Sequence, residues 1–306
     1  MLLTHLDATL ISRARVLFVM AEMKESEFRV AEKQSLLNES LSIFEEIHKE
    51  TGDPDAQFHV PLVLVSLGQI DLEKSREVFM MADSLFAQCQ EDESLLFEWI
   101  SLKCLLIPQD PLQITPTEEL LSRLGVITTE QEQFQLLKVE FLMAVASSSN
   151  DLGPIETARE ILATLPRTLP VLSQIADLNR HALSISIPSN LSEYIQALIQ
   201  QYDQLISISF GEVTQESLAE IYLDLSKYAT PLSVDLARRS LSVYGPVNEI
   251  HDLEDLIQFS RYLRALKVVG DSRYVTEHQR FVQECQRANI PCEKVIEFDT
   301  EVELPL

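Results

Sequence analysis

Residues 56–90, AQFHVPLVLVSLGQIDLEKSREVFMMADSLFAQCQ, are the stretch that decides the fold of this chain. In the first half, apolar residues from Val60 to Leu67 recur at intervals of three and four, which is the spacing of one helix face. That face stops at Gly68, and glycine often closes a helix because it tolerates the left-handed backbone conformation. A second helical pattern then runs to Phe86, so the stretch predicts a helical hairpin.

The second half of the hairpin alternates small and large residues on one face. Ser75 and Ala82 flank Phe79 at four and three residues, which leaves room for a neighbouring helix to approach. This order resembles the second helix of a tetratricopeptide repeat (TPR), and the resemblance covers about half of the chain. It implies helical hairpins that stack on one another and expose a groove for a protein partner. The same order recurs at Ser40 with Phe44, Ala158 with Leu162 and Ala237 with Leu241.

Glycine and proline positions divide the rest of the chain into further helices. We predict about fourteen of them, because the apolar periodicity restarts after each turn signal. Taken in pairs, their first members begin at intervals of roughly 35 to 49 residues, which is typical of stacked helix-turn-helix repeats. The predicted helices span 6–25, 28–51, 55–68, 71–90, 93–107, 116–124, 128–148, 154–164, 169–186, 190–209, 214–229, 231–243, 248–269 and 272–289.

The predicted fold class is therefore all-α, in the form of a right-handed α-α superhelix of about seven stacked helical hairpins. We expect this helical repeat array to occupy residues 1–292 as one domain. An irregular break is expected near 108–116, where three prolines cluster. Residues 293–306 are expected to form an acidic, extended tail.

Charge and hydropathy exclude several classes of function. The chain has 48 acidic and 24 basic residues, a net charge of −24, so we expect neither nucleic acid nor a membrane as a partner. No apolar run is long enough to span a bilayer, and Arg13 and Arg15 interrupt the segment 10–21 that a secretory signal would need intact. The four cysteines lack CxxC spacing, which favours reduced thiols. We expect a cytoplasmic protein.

No local motif indicates catalysis or cofactor binding. The sequence contains no HExxH, GxSxG, GxGxxG or Walker-type glycine loop, and no two of its six histidines lie within four residues of each other. We therefore expect no enzymatic activity, no cofactor and no metal. The alternative is an α-helical enzyme or small-ligand sensor, with a site buried between hairpins and lined by residues such as Tyr222, Tyr228 and His181.

The favoured function is non-enzymatic protein–protein interaction. A repeat array of this kind acts as an adaptor, scaffold or chaperone by holding a peptide or a helix in its concave groove. Trp99, the only tryptophan, is one candidate for contact with the partner. It is either a core residue of its helix or an exposed anchor of the kind that dominates binding energy.

Three arginines near the end of the helical part are a second candidate for contact with the partner. Arg273, Arg280 and Arg287, here called the arginine row, repeat every seven residues and so share one helix stripe. They either form ion pairs with Glu277 and Glu284 on a solvated face, or they receive an acidic segment of a partner.

From Ile296 to Leu304 the tail alternates between two sides, with apolar residues and Thr300 on one side and acidic residues on the other, which is the period of an extended strand. Such a tail is either disordered or docked with its apolar edge inward. If docked, it lies along its own superhelix or on a neighbouring copy, which would make a homo-oligomer. Its acids would then meet the arginine row. The apolar residues expected to dock are Ile296, Phe298, Val302 and Leu304.

Overall fold

The computed structural model describes residues 2–23, 30–70, 74–89, 91–208, 215–228, 230–243 and 253–288, together with Cys292 and Val295. These residues form fourteen α-helices, and none of them lies in a strand, so the predicted all-α fold class is confirmed. Each predicted helix has a counterpart whose ends differ by a few residues. The helices are α1 Leu2–Met23, α2 Val30–Thr51, α3 Pro54–Ile70, α4 Ser75–Phe86, α5 Glu93–Leu106, α6 Ile114–Ile127, α7 Gln131–Ser149, α8 Gly153–Thr164, α9 Leu169–Ile185, α10 Leu191–Ile208, α11 Gln215–Leu225, α12 Thr230–Val243, α13 Leu253–Val269 and α14 Tyr274–Ala288.

The chain divides into two compact units, Met1–Ser149 and Asn150–Leu306. The division falls between α7 and α8, which the sequence spacing pairs as one hairpin, and α8 packs on α9 within the second unit. In the region 108–116, the chain makes a turn and a short 3₁₀ helix, Pro111–Gln113, before α6 begins. A single array over 1–292 and its right-handed curvature stay predictions.

The first unit is built from helical hairpins. Helix α1 packs on α2, α3 on α4 and α5 on α6, and α7 packs against α5. Asp53 caps α3 as its sequence predicts, because its Oδ1 accepts hydrogen bonds from the backbone N–H groups of Asp55 and Ala56 at 2.9 and 3.1 Å. One apolar cluster joins α1 to α5 and a second joins α5 to α7, with Trp99 packed against both.

Small residues let neighbouring helices approach closely. Ser75, Phe79 and Ala82 are all buried on α4, as the small–large order predicts. The prediction that Gly68 closes its helix is wrong, because α3 continues to Ile70. A Cβ atom on Gly68 would lie 2.5 Å from a ring carbon of Phe79, so the glycine allows the contact between α3 and α4.

Buried serines join two of the hairpins. On α2, Ser40 Oγ donates a hydrogen bond to the carbonyl oxygen of Ala14 on α1, at 2.9 Å. On α12, Ser240 Oγ donates in the same way to the carbonyl of Ala219 on α11. In both pairs a small residue faces a small residue, so the helix backbones come close enough for a hydroxyl to bridge them.

The second unit has two apolar clusters. The first joins α9, α10, α11 and α12 around Leu198, Tyr202 and Leu236. The second joins α11, α13 and α14 around Phe259 and Phe281, and it includes Val295, which follows α14.

Candidate interaction surfaces

Trp99 lies half-buried on α5, and its polar atom is already used within the protein. The indole Nε1 donates to Asp83 Oδ1 on α4 at 2.6 Å. One turn later, Lys103 Nζ lies 2.8 Å from the same oxygen and also donates to Gln113 Oε1 at 2.8 Å. These contacts are those of a packed core residue, and the role of Trp99 as a partner anchor stays a prediction.

The Asp83–Lys103 pair is a buried ion pair that sequence reasoning missed. The Lys103 side chain is 7% exposed and that of Asp83 is 17% exposed, so water screens the pair poorly. The two residues lie on different helices, 20 positions apart, and nothing in the local sequence connects them. Because Gln113 also accepts from Lys103, the pair fixes the chain between α5 and α6 against α4.

Each arginine of the arginine row is paired with a carboxylate of its own segment. Arg280 pairs with Glu277 at 3.5 Å and Arg287 with Glu284 at 2.9 Å, which are the pairs expected from the sequence. Arg273 pairs instead with Asp271 in the turn before α14, at 2.8 Å. Hydrogen bonds from Arg273 lower the pKa of Asp271 to about 2. The row's role in binding a partner stays a prediction.

The alternative ligand site is expected to be lined by Tyr222, Tyr228 and His181. Tyr222 donates its hydroxyl proton to Asp203 and accepts from Arg239 Nη1 at 3.3 Å. Burial, followed by the hydrogen bond to Asp203, raises the pKa of Tyr222 to about 12. Tyr222 and Tyr228 share the apolar cluster of α9 to α12, while His181 is buried on α9.

Two further expectations from the sequence concern metal binding, of which none is expected, and the docking of the tail. Within the described residues, no group of three or more His, Cys, Asp or Glu side chains is arranged to hold a metal ion. The predicted docking residues of the tail, Ile296, Phe298, Val302 and Leu304, lie outside the described residues.

The outer face of α1 carries a stripe of exposed apolar side chains, here called the α1 stripe. Val16, Val19 and Met20 are 56%, 54% and 44% exposed. On the opposite face, Ala14 and Ala21 are fully buried in the core of the first unit. The helix is therefore apolar on both faces, a pattern that is typical of a helix buried on all sides.

Two arginines lie on either side of the α1 stripe. Arg13 forms an ion pair with Glu39 of α2, and Arg15 forms one with Asp55 of α3. Residues 8–21 contain no acidic residue, although the chain carries a net charge of −24. Sequence reasoning used this segment only to exclude a secretory signal. The apolar residues on two faces of this segment are the sequence feature that could have predicted the α1 stripe.

Comparisons with known proteins give little further information. No known protein family and no curated protein sequence matches the chain. Among solved structures, the chain is similar to the S. pombe nuclear import adaptor Nro1, with 15% sequence identity and a TM-score of 0.31, over 96% of this chain and 98% of that one. This score is too low to transfer the adaptor's role. None of the helices in the described ranges has the length and apolar character needed to cross a membrane.

Proposed function

We propose that this chain is a non-enzymatic protein-interaction module, an adaptor, scaffold or chaperone, and that the α1 stripe holds an amphipathic helix of a partner protein. One observation carries the proposal: Val16, Val19 and Met20 are exposed together on a helix whose other face is already buried. Isolated exposed apolar residues are normal, but a contiguous group is typical of an interaction site.

The spacing of the α1 stripe favours a helix as its partner. Positions 16, 19 and 20 are related as i, i+3 and i+4, which gives a narrow apolar ridge along α1. A second helix with a matching apolar stripe can pack its own ridge beside this one and remove both from water.

The charges beside the α1 stripe favour a partner helix with acidic flanks. The guanidinium groups of Arg13 and Arg15 lie on either side of the stripe and are more than half exposed. An arginine that already pairs with one carboxylate has further N–H donors for a second. The overall charge of −24 disfavours nucleic acid and anionic lipid in the same role. A cytoplasmic location is part of this proposal.

The test compares a variant of the stripe with a matched control. Replacement of Val16, Val19 and Met20 by serine removes the ridge without touching the buried face of α1. Val126→Ser is the control, because Val126 is 85% exposed in the same unit. Some proteins of a cell extract should bind the wild-type chain and Val126→Ser but not the triple variant. Each of these is then purified, and its affinity for the three forms of the chain is measured by calorimetry. If every purified protein binds the triple variant as tightly as it binds Val126→Ser, the proposal is overturned.

Two further measurements separate the proposal from its rivals. Light scattering of the purified chain distinguishes a partner protein from a second copy: a dimer that becomes a monomer in the triple variant would assign the stripe to self-association. A thermal-shift screen against metals and metabolites tests the alternative of an enzyme or ligand sensor. A reproducible stabilisation of several degrees by one compound would favour that alternative.

A further inference from the structure

Along the arginine row, the outermost charges are positive. The side chains of Arg273, Arg280 and Arg287 are 58%, 32% and 77% exposed, whereas their paired carboxylates are only 23%, 20% and 17% exposed. A ligand that approaches this edge of α14 therefore meets guanidinium donors before it meets carboxylates. The paired carboxylates are those of Asp271, Glu277 and Glu284.

None of the exposed side chains on the described part of α14 is acidic. The only carboxylates of this helix are those of Glu277 and Glu284, and both are mostly buried. The other exposed positions carry apolar groups, neutral polar groups or an imidazole, so none of them adds a negative charge that would repel an acidic ligand. The exposed side chains are those of Val275, Thr276, His278, Gln279, Gln283, Gln286 and Arg287.

The stretch that contains α14 also differs in charge from the rest of the chain. Residues 256–287 contain six basic and three acidic residues, whereas the other residues together contain 18 basic and 45 acidic ones. At physiological ionic strength, charges more than about 8 Å apart are largely screened from each other. Binding at the row therefore depends on the local charges more than on the net charge of −24.

Packing holds the guanidinium groups of the row in place. Cζ of Arg280 lies 5.2 Å from the ring centroid of Phe259 on α13, and that ring packs edge-on against Phe281. The other two arginines each donate to both oxygens of their own carboxylate, at 2.8 to 3.0 Å. A side chain that is already ordered loses less conformational entropy when a ligand binds. A guanidinium has five N–H donors, so one that pairs with its own carboxylate can also donate to a second.

The surface of α14 favours an extended segment over a helix as the ligand. A partner helix needs an apolar ridge to pack against, and Val275 is the only large apolar side chain exposed on the described part of α14. Successive arginines of the row lie about 10.5 Å apart along the helix, at a rise of about 1.5 Å per residue. Three residues of extended chain cover about 10 Å, at about 3.4 Å per residue. A run of about seven acidic residues can therefore contact all three arginines.

We propose that the arginine row binds an extended, acidic segment of a partner protein, whose carboxylates are held by the guanidinium groups of Arg273, Arg280 and Arg287. Exposed ion pairs are individually weak, so the affinity comes from several pairs that form together along one acidic run. The row lies in the second compact unit, whereas the α1 stripe lies in the first. This inference does not depend on the role of the α1 stripe.

The test measures, by fluorescence anisotropy, the affinity of the full chain for a fluorescein-labelled oligoglutamate peptide that is longer than the row. We expect binding at physiological ionic strength that weakens as salt is added. The variant that combines Arg273→Gln, Arg280→Gln and Arg287→Gln should bind about tenfold more weakly, because three exposed ion pairs are lost.

The control variant removes the same amount of charge elsewhere. It combines Arg123→Gln, Arg159→Gln and Arg238→Gln, three arginines that also form ion pairs at exposed positions. Because its net charge equals that of the row variant, it separates the local effect of the row from the charge of the whole chain. We expect it to bind the peptide as the wild type does.

A second pair of variants tests the row in the opposite direction and does not require the triple arginine variant to fold. Glu277→Gln with Glu284→Gln removes two carboxylates that compete with the peptide for the row, so binding should become tighter. Glu156→Gln with Asp235→Asn makes the same change in charge at two other ion pairs of the same unit and should have little effect.

Four outcomes would overturn the proposal. The first is a wild-type chain that does not bind the peptide, and the second is an affinity that is unchanged in either folded variant of the row. The third is tighter binding of a labelled single-stranded oligonucleotide than of the peptide, which would assign the row to nucleic acid. The fourth is self-association that light scattering detects in the wild type but not in the triple arginine variant, which would assign the row to a second copy.

Discussion

Gly68 shows how a single residue sets the distance between two helices. It lies inside α3, two residues before the helix ends, where glycine is unfavourable for helix formation. The ring of Phe79 occupies the space that a Cβ atom would take, so the cost of glycine is offset by the close contact of α3 with α4. The residue is present for packing rather than for helix termination.

Gly68→Ala should therefore destabilise the protein by about 1–3 kcal/mol, because the new methyl group overlaps the Phe79 ring. Urea unfolding of the full chain measures this change in the free energy of unfolding. In a Phe79→Leu background, which removes the ring, the same substitution should cost less. An equal cost in both backgrounds would mean that the contact with Phe79 is not the cause.

Lys103→Met should lower the free energy of unfolding more than Gly68→Ala does, by about 3–5 kcal/mol. The reason is that it leaves the Asp83 carboxylate without its cation at a poorly hydrated position. The double variant Asp83→Asn with Lys103→Met removes both charges but keeps an oxygen acceptor for the indole Nε1 of Trp99, and it should recover most of the loss. Lys49→Met, at an exposed position on α2, is the control and should change stability little. If the double variant is as unstable as the single one, the loss comes from packing and not from the unpaired charge.

Three neighbouring helices of the second unit are joined by one tyrosine. Tyr222 on α11 donates to Asp203 on α10 and accepts from Arg239 on α12, whose guanidinium also lies over its ring at 5.3 Å. Burial and the hydrogen bond to Asp203 favour the protonated phenol in the folded chain. The stability of the packing among α10, α11 and α12 therefore depends on pH in the alkaline range.

The linkage predicts a loss of stability at high pH. The phenol of Tyr222 loses its proton near its ordinary pKa of 10.0 in the unfolded chain, but at about 12 in the folded chain. Between these values the folded state binds more protons, so the free energy of unfolding falls as the pH rises. From about pH 9 to about pH 11, the urea midpoint of the wild type should fall further than that of Tyr222→Phe. Equal falls would show that Tyr222 is not the group responsible.

At the level of the whole molecule, the chain consists of two compact units, Met1–Ser149 and Asn150–Leu306. The described part of each unit has its own buried apolar clusters, which is the condition for folding independently. Within the first unit, two clusters share Trp99 and connect all seven helices.

Residues 1–149, expressed alone, should therefore fold. We expect a helical circular dichroism spectrum and a single cooperative thermal transition, with Trp99 fluorescence at the same wavelength as in the full chain. Lys103→Met should lower the transition temperature of this fragment as it does in the full chain, since Asp83 and Gln113 lie in the same unit. A fragment without a cooperative transition would show that its stability requires the remaining residues.

The sequence by itself determined the helices of this protein. Helix formation depends on contacts between residues three and four apart and on caps such as Asp53, and these are visible in the local pattern. For the same reason, the pairs of Arg280 with Glu277 and of Arg287 with Glu284 were predictable.

Only the tertiary structure decided which face of each helix is buried, and against which neighbour, and which face is exposed. The role of Gly68, the burial of Lys103 against Asp83 and the exposure of Val16, Val19 and Met20 all depend on residues that are distant in sequence. The division between α7 and α8 likewise interrupts a regular spacing that predicted a hairpin. A periodic sequence shows that a helix has an apolar face, but which neighbour covers that face depends on the packing of the folded chain.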